Sequence, residues 1–177
     1  MVLFINPSII SFITGFLLAI SGELIRIWAV SYAGSETRTT SGAGGSYLVT
    51  QGPYSILRNP LYLGNIIIYT GIGIMSNSLF PYLQIVAIFY FSIQYYCIIL
   101  IEEEYLETAF RSEYEIYRKY INKFIPGLKP VPDKIRSKLG FNLRKGIISE
   151  KRSLHAFGLT TLIILFFLLT NYRIIKL

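Results

Sequence analysis

Residue types on which metal and nucleophilic chemistry commonly depend are nearly missing from this chain. It has one cysteine, Cys97, and one histidine, His155, which lie far apart in the sequence. A Cys/His metal site would lack ligands, and a Ser-His-Asp triad would have to recruit the one histidine at the start of an apolar run. We therefore expect neither kind of site, and Cys97 cannot form an intramolecular disulfide.

Charged residues are also scarce, at 15% of the 177 residues, and the stretch from Met1 to Gly22 has none. Hydrophobic residues make up 53% of the chain and form runs long enough to cross a bilayer. This composition is typical of a multispanning membrane protein. Because the N-terminus has no basic region, we expect the first apolar run to be a span and not a secretory signal.

The formal net charge of +7 is unevenly distributed, since most Lys and Arg residues lie between Arg111 and Arg152. A basic block beside apolar spans is typical of a cytoplasmic face that meets anionic lipid headgroups. No further feature supports nucleic-acid binding. We expect the membrane, and no nucleic acid, as the partner of this block.

The apolar runs predict an all-α integral membrane fold with about four transmembrane helices, in one domain over 1–177. The predicted spans are 9–33, 61–76, 82–101 and 153–171. The connecting parts are predicted to be a cytoplasmic loop over 34–60, an amphipathic surface helix over 102–122 that covers a cofactor site, and a basic segment over 123–152. Both chain ends are then expected outside.

Two charges interrupt the first apolar run. Glu23 and Arg26 are one helical turn apart, so they share a face and can pair. Charges at membrane depth are costly unless they face protein, water or a ligand, which makes them candidates for substrate contact together with Trp28. The alternative is a helix end that lies in the interface, because Trp28 and Tyr32 are also typical of an aromatic belt.

The polar residues at the ends of the second and third runs are predicted to meet. Pro60 suits the first position of a helix, and it follows a turn-rich loop that carries Arg58. The third run ends at the acidic cluster Glu102 to Glu104. A helical hairpin returns both ends to the same side of the membrane, so the arginine can contact the carboxylates.

These motifs resemble the isoprenylcysteine carboxyl methyltransferase and phospholipid methyltransferase superfamily. LVTQGPYSILRNPLYLGN is similar to its Gly-x-Tyr…Arg-His-Pro-x-Tyr-x-Gly block, and GIG is similar to its Gly-x-Gly. IEEEYLETAFRSEYEIYRKYINKFIP resembles its Glu-Glu-x-x-Leu…Phe-x-x-Tyr-x-x-Tyr block, and GELIRIWAV resembles its upstream segment. The resemblance covers about Gly22 to Pro126. It implies an all-helical membrane fold, S-adenosylmethionine as the cofactor and a lipophilic acceptor. The basic block leads us to expect the active site on the cytoplasmic side.

The resemblance also implies the residues of the site. Arg58, Glu102 and Glu103 would be catalytic. The implied cofactor-binding residues are Tyr54, Arg58, Asn59, Pro60, Tyr62, Gly64, Gly71, Gly73, Glu102, Glu103 and Tyr114. Two positions depart from the pattern, since Asn59 replaces the usual histidine and Arg111 stands where a glycine often follows phenylalanine.

The chemistry of S-adenosylmethionine suits these residue types. The planar fork of Arg58 matches a carboxylate, and Glu102 or Glu103 can bind the ammonium or the ribose hydroxyls. Glycines allow close backbone approach, and tyrosine faces attract adenine or the sulfonium. The alternatives are that the charges only terminate spans and that Gly-x-Gly is a helix-packing face.

The acceptor and the activity have open alternatives. Asn59 removes the obvious base, which favours a carboxylate acceptor of the isoprenylcysteine type over a phospholipid amine that must first lose a proton. Glu23, Glu102, Glu103 or a water could still serve as the base. A nicotinamide-dependent enzyme of the sterol-reductase type and a non-enzymatic membrane adaptor, which uses the basic segment, are the other hypotheses.

Overall fold

The computed structural model describes residues 5–34, 47–127, 129–137 and 140–175. Over these residues the chain is all-helical, with four α-helices, two short 3-10 turns and no strand. The helices are α1 (Ile9–Ala33), α2 (Pro60–Ser76), α3 (Tyr82–Tyr120) and α4 (Leu143–Ile175). The all-α part of the predicted fold class is confirmed for this part of the chain, whereas the amphipathic surface helix stays a prediction. Most of the predicted loop over 34–60 can be compared, but its residues 35–46 lie outside the described ranges.

Three of the helices in the described ranges, α1, α3 and α4, are long and apolar enough to cross a membrane. The fourth, α2, has 17 residues, is mainly apolar and contains no charged residue. A span perpendicular to the bilayer needs roughly 20 residues. The three candidate spans fit an integral membrane protein, whereas the count of four spans stays a prediction.

The chain divides into two compact units. The first contains residues 5–24, 64–93 and 151–175 among those described. Within it, α1 and α2 approach each other through glycines: a Cβ on Gly71 would lie 2.5 Å from the Ala19 nitrogen and 2.7 Å from the Gly15 oxygen. A Cβ on Gly22 would lie 2.7 Å from the Gly64 oxygen. Small residues permit this approach, because helix packing in lipid depends on van der Waals contact.

The second unit contains residues 25–63 and 94–150 of the described ranges. Thr50 and Ser137 join the loop before α2 to the segment after α3: the Ser137 backbone nitrogen donates to Thr50 Oγ1 at 2.8 Å, and the Thr50 nitrogen donates to Ser137 Oγ at 3.1 Å. An apolar core forms beside this link. Its buried members are Leu48, Tyr114, Tyr117, Ile121, Val131 and Ile135.

α3 extends further than the predicted span over 82–101. It continues through the acidic cluster as helix, and its regular conformation is interrupted at Arg111, where φ is 40° and ψ is −112°. The sequence at Glu102 changes in polarity but contains no glycine or proline, so nothing there stops a helix. Beyond Arg111, Tyr114 and Tyr117 are buried while Arg118 is exposed.

α4 begins at Leu143, within the predicted basic segment and before the predicted start of the last span. Asn142 caps its first turn, since Asn142 Oδ1 accepts a hydrogen bond from the Lys145 backbone nitrogen at 2.9 Å. A Cβ on Gly146 would lie 3.0 Å from the Ile27 carbonyl oxygen of α1. The predicted basic segment over 123–152 did not include this helix start. The Asn142 cap and the contact of Gly146 with Ile27 support it.

Candidate functional site

The loop that carries Arg58 is held by backbone hydrogen bonds within the second unit. The Arg58 nitrogen donates to the Asn122 oxygen at 3.0 Å, and the Gly127 nitrogen donates to the Ile56 oxygen at 2.9 Å. The Tyr117 hydroxyl donates to the Tyr54 carbonyl oxygen at 2.7 Å. The loop is therefore fixed against both the end of α3 and the segment that follows it.

Arg58 contacts one member of the acidic cluster. Its Nη2 lies 3.3 Å from Glu103 Oε1, and the two side chains are only 9% and 11% exposed. The other oxygen of Glu103, Oε2, lies 2.6 Å from Lys123 Nζ. Arg58 Nε and Nη1 are buried and have no hydrogen-bond partner in the part of the chain that the structure describes. Buried N–H groups normally have partners, so this arrangement suits an anionic ligand.

A second polar contact joins α2 to α3. The Tyr62 hydroxyl donates to Glu102 Oε1 at 2.6 Å, and the Tyr62 ring lies 4.9 Å from the Tyr95 ring, centroid to centroid. Glu102 precedes Glu103 by one position, so the two neighbouring carboxylates have different partners. Glu102 keeps acceptor capacity beyond the Tyr62 hydrogen bond, because an ionised carboxylate accepts several hydrogen bonds.

The Tyr54 hydroxyl is another buried polar group at the site. Tyr54 is 9% exposed, and its oxygen has no hydrogen-bond partner among the described residues. Burial, followed by the negative charge of Glu102, raises the pKa of Tyr54 well above its usual range. The group is therefore neutral at physiological pH and can donate a hydrogen bond. Tyr114, which is 1% exposed, lies in the apolar core of the same unit.

The remaining residues of the predicted loop have structural contacts. The Asn59 side-chain nitrogen donates to the Lys123 carbonyl oxygen at 3.3 Å, and Pro60 is the buried first residue of α2. Asn59 thus binds the segment after α3 through its side-chain amide. This contact requires a hydrogen-bond donor but no titratable group.

The three predicted glycines belong to the first unit. Gly64 and Gly71 lie where α1 and α2 touch, and Gly73 lies beside the Gln84 side chain, whose Cγ would be 3.2 Å from an added Cβ. The Gln84 side-chain nitrogen also donates to the Gly73 oxygen at 2.8 Å. These glycines have the helix-packing contacts of the alternative that their sequence pattern left open. Their role in cofactor binding stays a prediction.

The candidates for substrate contact are distributed over both units. Within the first unit, Glu23 is 2% exposed and its Oε1 accepts a hydrogen bond from the Ser153 hydroxyl at 2.6 Å. Within the second unit, Arg26 Nη2 lies 2.6 Å from Glu150 Oε2. Trp28 is 40% exposed.

Two charged residues with specific partners were not predicted from the sequence. Lys123 and Glu150 both lie in the predicted basic segment, which was treated as one block. Lys123 directly follows the amphipathic stretch, and Glu150 is the one acidic residue of the sequence beyond Asp133. A lone acid next to an apolar run is a signal for a specific partner, because an unpaired charge there is costly.

The family model described as phospholipid methyltransferase matches residues 10–113, which is more than half of the chain. The chain therefore belongs to this family, which is part of the integral membrane methyltransferase superfamily. Methyltransferases of the family generally use S-adenosylmethionine. The matched region includes Arg58 and the acidic cluster, whereas Lys123 and Glu150 lie beyond it.

Two curated relatives are similar to the chain. It is 34% identical over 103 residues to the cobalt-zinc-cadmium resistance protein CzcN of Cupriavidus metallidurans, over 58% of this chain and 43% of that protein. It is 32% identical over 103 residues to the nickel-cobalt-cadmium resistance protein NccN of Alcaligenes xylosoxydans xylosoxydans, over 58% of this chain and 44% of that protein. The match thus spans less than half the length of these relatives. No solved structure matches the chain significantly.

Proposed function

We propose that this chain transfers a methyl group from S-adenosylmethionine to a lipophilic acceptor in the membrane, and that the donor binds in the second unit beside Arg58. The observation that carries the proposal is the buried Arg58 side chain, whose Nε and Nη1 have no hydrogen-bond partner in the described ranges. Membership of a membrane methyltransferase family gives such a site a natural ligand.

The residues around Arg58 fit the parts of the donor. The guanidinium suits the donor carboxylate through paired hydrogen bonds. Glu102 suits the ribose hydroxyls or the ammonium, and the Tyr62 hydroxyl holds that carboxylate in place at 2.6 Å. The Tyr54 hydroxyl is a buried donor for a polar atom of the ligand, and tyrosine rings attract a sulfonium by about 0.5 to 2 kcal/mol.

The bound donor supplies an electrophilic methyl group, and the chain aligns it with the acceptor. Such a displacement depends largely on positioning in a water-poor site. The Arg58 nitrogen donates to the Asn122 oxygen and the Gly127 nitrogen donates to the Ile56 oxygen, so two backbone hydrogen bonds fix the loop against the segment after α3. The Tyr117 hydroxyl also holds the loop, since it donates a hydrogen bond to the Tyr54 carbonyl oxygen. These contacts favour a preformed site, and the basic block leads us to expect it on the cytoplasmic side of the membrane.

The acceptor that we favour is a lipidic carboxylate of the isoprenylcysteine type. A carboxylate is already nucleophilic, and Asn59, which replaces the motif histidine, is engaged with the Lys123 carbonyl oxygen and supplies no base. A phospholipid amine is the second candidate, and the description of the matching family favours it. An amine acceptor would require a carboxylate such as Glu102 or Glu23, or a water, as the base.

The proposal is tested by calorimetric titration of the detergent-purified full chain with S-adenosylmethionine and with its demethylated product. We expect micromolar binding to the wild type. Arg58→Ala should weaken it at least tenfold, since hydrogen bonds to charged groups contribute about 1.5 to 3 kcal/mol. Arg58→Lys should give an intermediate loss, because the charge remains but the planar fork is removed.

Arg118→Ala is the matched control, since Arg118 is half-exposed and forms an ion pair with Glu107 away from the loop. It should bind as the wild type does. Absence of binding to folded wild-type protein at millimolar donor would refute the proposal. Titration with nicotinamide cofactors would then test the reductase hypothesis, and charge reversal in the basic segment would test the adaptor hypothesis.

The acceptor class follows from the chemistry of the product. Membranes that contain the protein are incubated with donor labelled in the methyl group, together with prenylated cysteine or with phosphatidylethanolamine. A carboxyl methyl ester releases the label as volatile methanol on treatment with base, whereas an N-methyl group retains it. We expect release by base, and stable label on phosphatidylethanolamine would establish the amine alternative.

A further inference from the structure

Lys123 is a second cation at the candidate site. Its Nζ lies 2.6 Å from Glu103 Oε2 and 5.5 Å from the centre of the Tyr96 ring. Its carbonyl oxygen accepts the hydrogen bond from Asn59, and its side chain is 22% exposed. The lysine is thus held at its backbone by the Arg58 loop and at its ammonium by the acidic cluster.

The charges around Glu103 are unbalanced. Glu103 Oε1 faces Arg58 and Glu103 Oε2 faces Lys123, so one carboxylate lies between two cations. These three groups sum to one positive charge, and the neighbouring Glu102 carboxylate is hydrogen-bonded to the Tyr62 hydroxyl. Charge in this largely buried place is poorly screened. An anion that binds both cations would balance it, and the buried Nε and Nη1 of Arg58 offer donors to such an anion.

The same geometry limits what Glu103 can bind. Oε1 lies 3.3 Å from Arg58 and Oε2 lies 2.6 Å from Lys123, and Oε1 accepts no hydrogen bond from the described residues. The ammonium of a ligand would nevertheless be a third cation beside one carboxylate. Repulsion from the two chain cations opposes that arrangement. A carboxylate meets the opposite situation, because it is attracted by both Arg58 and Lys123.

We propose that Arg58 and Lys123 together bind the carboxylate of the methyl donor, and that Glu103 is a positioning residue that holds both cations. The inference rests on the proposed function, because it assigns a role to Lys123 in the same site. It differs from the expectation that Glu103 itself contacts the donor ammonium, and it leaves Glu102 for that contact.

The test compares two ligands that differ in the carboxylate alone: S-adenosylmethionine and its decarboxylated form. Binding of each to the full chain in detergent is measured by calorimetry for the wild type and for Lys123→Met. The variant should bind S-adenosylmethionine about tenfold more weakly, because it lacks one charge-assisted contact at a partly exposed side chain. Binding of the decarboxylated ligand should not change.

Two further variants complete the experiment. Lys119→Met is the matched control, since Lys119 is an exposed lysine paired with Glu115, and it should bind both ligands as the wild type does. Lys123→Arg keeps the charge and should retain most of the preference for the carboxylate. Thermal unfolding of each variant verifies that it is folded.

The possible failures are distinguishable. If the wild type binds neither ligand, the proposed function and this inference both fail. If the wild type binds S-adenosylmethionine but Lys123→Met weakens both ligands equally, or weakens neither, only the role of Lys123 is refuted. Tighter donor binding by Lys123→Met would refute it too, since the lysine would then compete with the donor ammonium. A raised KM for a carboxylate acceptor, with donor binding unchanged, would assign Lys123 to the acceptor.

Discussion

Buried charges determine much of the chemistry at the residue scale. Glu150 has no exposed side-chain surface, and its partner Arg26 is 14% exposed. An ionised carboxylate taken out of water costs several kcal/mol unless a cation compensates it. The Arg26–Glu150 pair therefore constrains the position of the start of α4 beside α1 within the second unit. Both charges also act on the pKa of Tyr54, which Arg26 lowers and Glu150 raises.

Removal of the cation alone should be strongly destabilising. Arg26→Met removes the cation that lies 2.6 Å from Glu150 Oε2. We expect the free energy of unfolding to fall by about 3 kcal/mol, as is typical for a broken buried pair. Thermal or denaturant unfolding in detergent measures the change.

The exposed pair of Arg118 and Glu107 supplies the comparison. Arg118→Met should cost less than about 1 kcal/mol, because exposed ion pairs contribute little. The double variant Arg26→Met/Glu150→Leu should recover most of the stability that the single change loses. Equal costs for Arg26→Met and Arg118→Met would show that the buried pair has no special role.

At the element scale, α3 is interrupted at one residue, Arg111. Arg111 has a positive φ of 40°, a conformation that glycine adopts readily and other residues rarely. The family pattern often has glycine at this position, and the chain has arginine instead. The backbone at position 111 therefore adopts a positive φ, although an arginine side chain disfavours that conformation.

Arg111→Gly should stabilise the protein by about 1 kcal/mol, because glycine removes the penalty of a side chain at positive φ. This reverses the usual effect of glycine within a helix. Denaturant unfolding in detergent measures the difference from the wild type.

Glu113→Gly, at an exposed position of the same helix, is the control and should destabilise by about 1 kcal/mol. If Arg111→Gly destabilises by a similar amount, α3 runs regularly through position 111 and its interruption is refuted.

At the scale of the whole molecule, each of the three long helices presents apolar side chains outward. Ile10 on α1, Phe89 on α3 and Leu162 on α4 are 76%, 70% and 64% exposed. Such surfaces are expected to contact lipid. The shorter α2 decides the topology, because four spans place both chain ends on one side of the membrane and three spans place them on opposite sides.

Cysteine labelling from either side of the membrane tests the orientation. In a Cys97→Ser background, Lys145→Cys should react with an impermeant maleimide only from the cytoplasmic side, since the positive-inside rule places the basic block there. Ser8→Cys and a C-terminal tag should be accessible only from the outside. Termini on opposite sides would reduce the spans to three, and labelling of Lys145→Cys from outside would reverse the orientation.

The parts that the sequence predicted correctly depend on local patterns. The apolar run beginning at Ile9 and the proline at position 60 define α1 and the start of α2, because hydropathy and turn chemistry act over a few residues. The predicted helical hairpin also brings Arg58 close to the acidic cluster, where Arg58 contacts Glu103. It could not choose Glu103 over its neighbours, since one helical step changes the direction of a side chain by about 100°.

By itself, the sequence determined an all-helical membrane protein of a methyltransferase family, with its loop arginine near acidic residues. Only the tertiary structure decided the partners: Glu150 for Arg26, two cations for Glu103, helix packing for Gly71, and the helical start of the basic segment at Leu143. The physical reason is range. Hydropathy, turns and motifs are properties of neighbouring residues, whereas these partners are distant in the chain and are selected when helices pack and buried charges find their counterions.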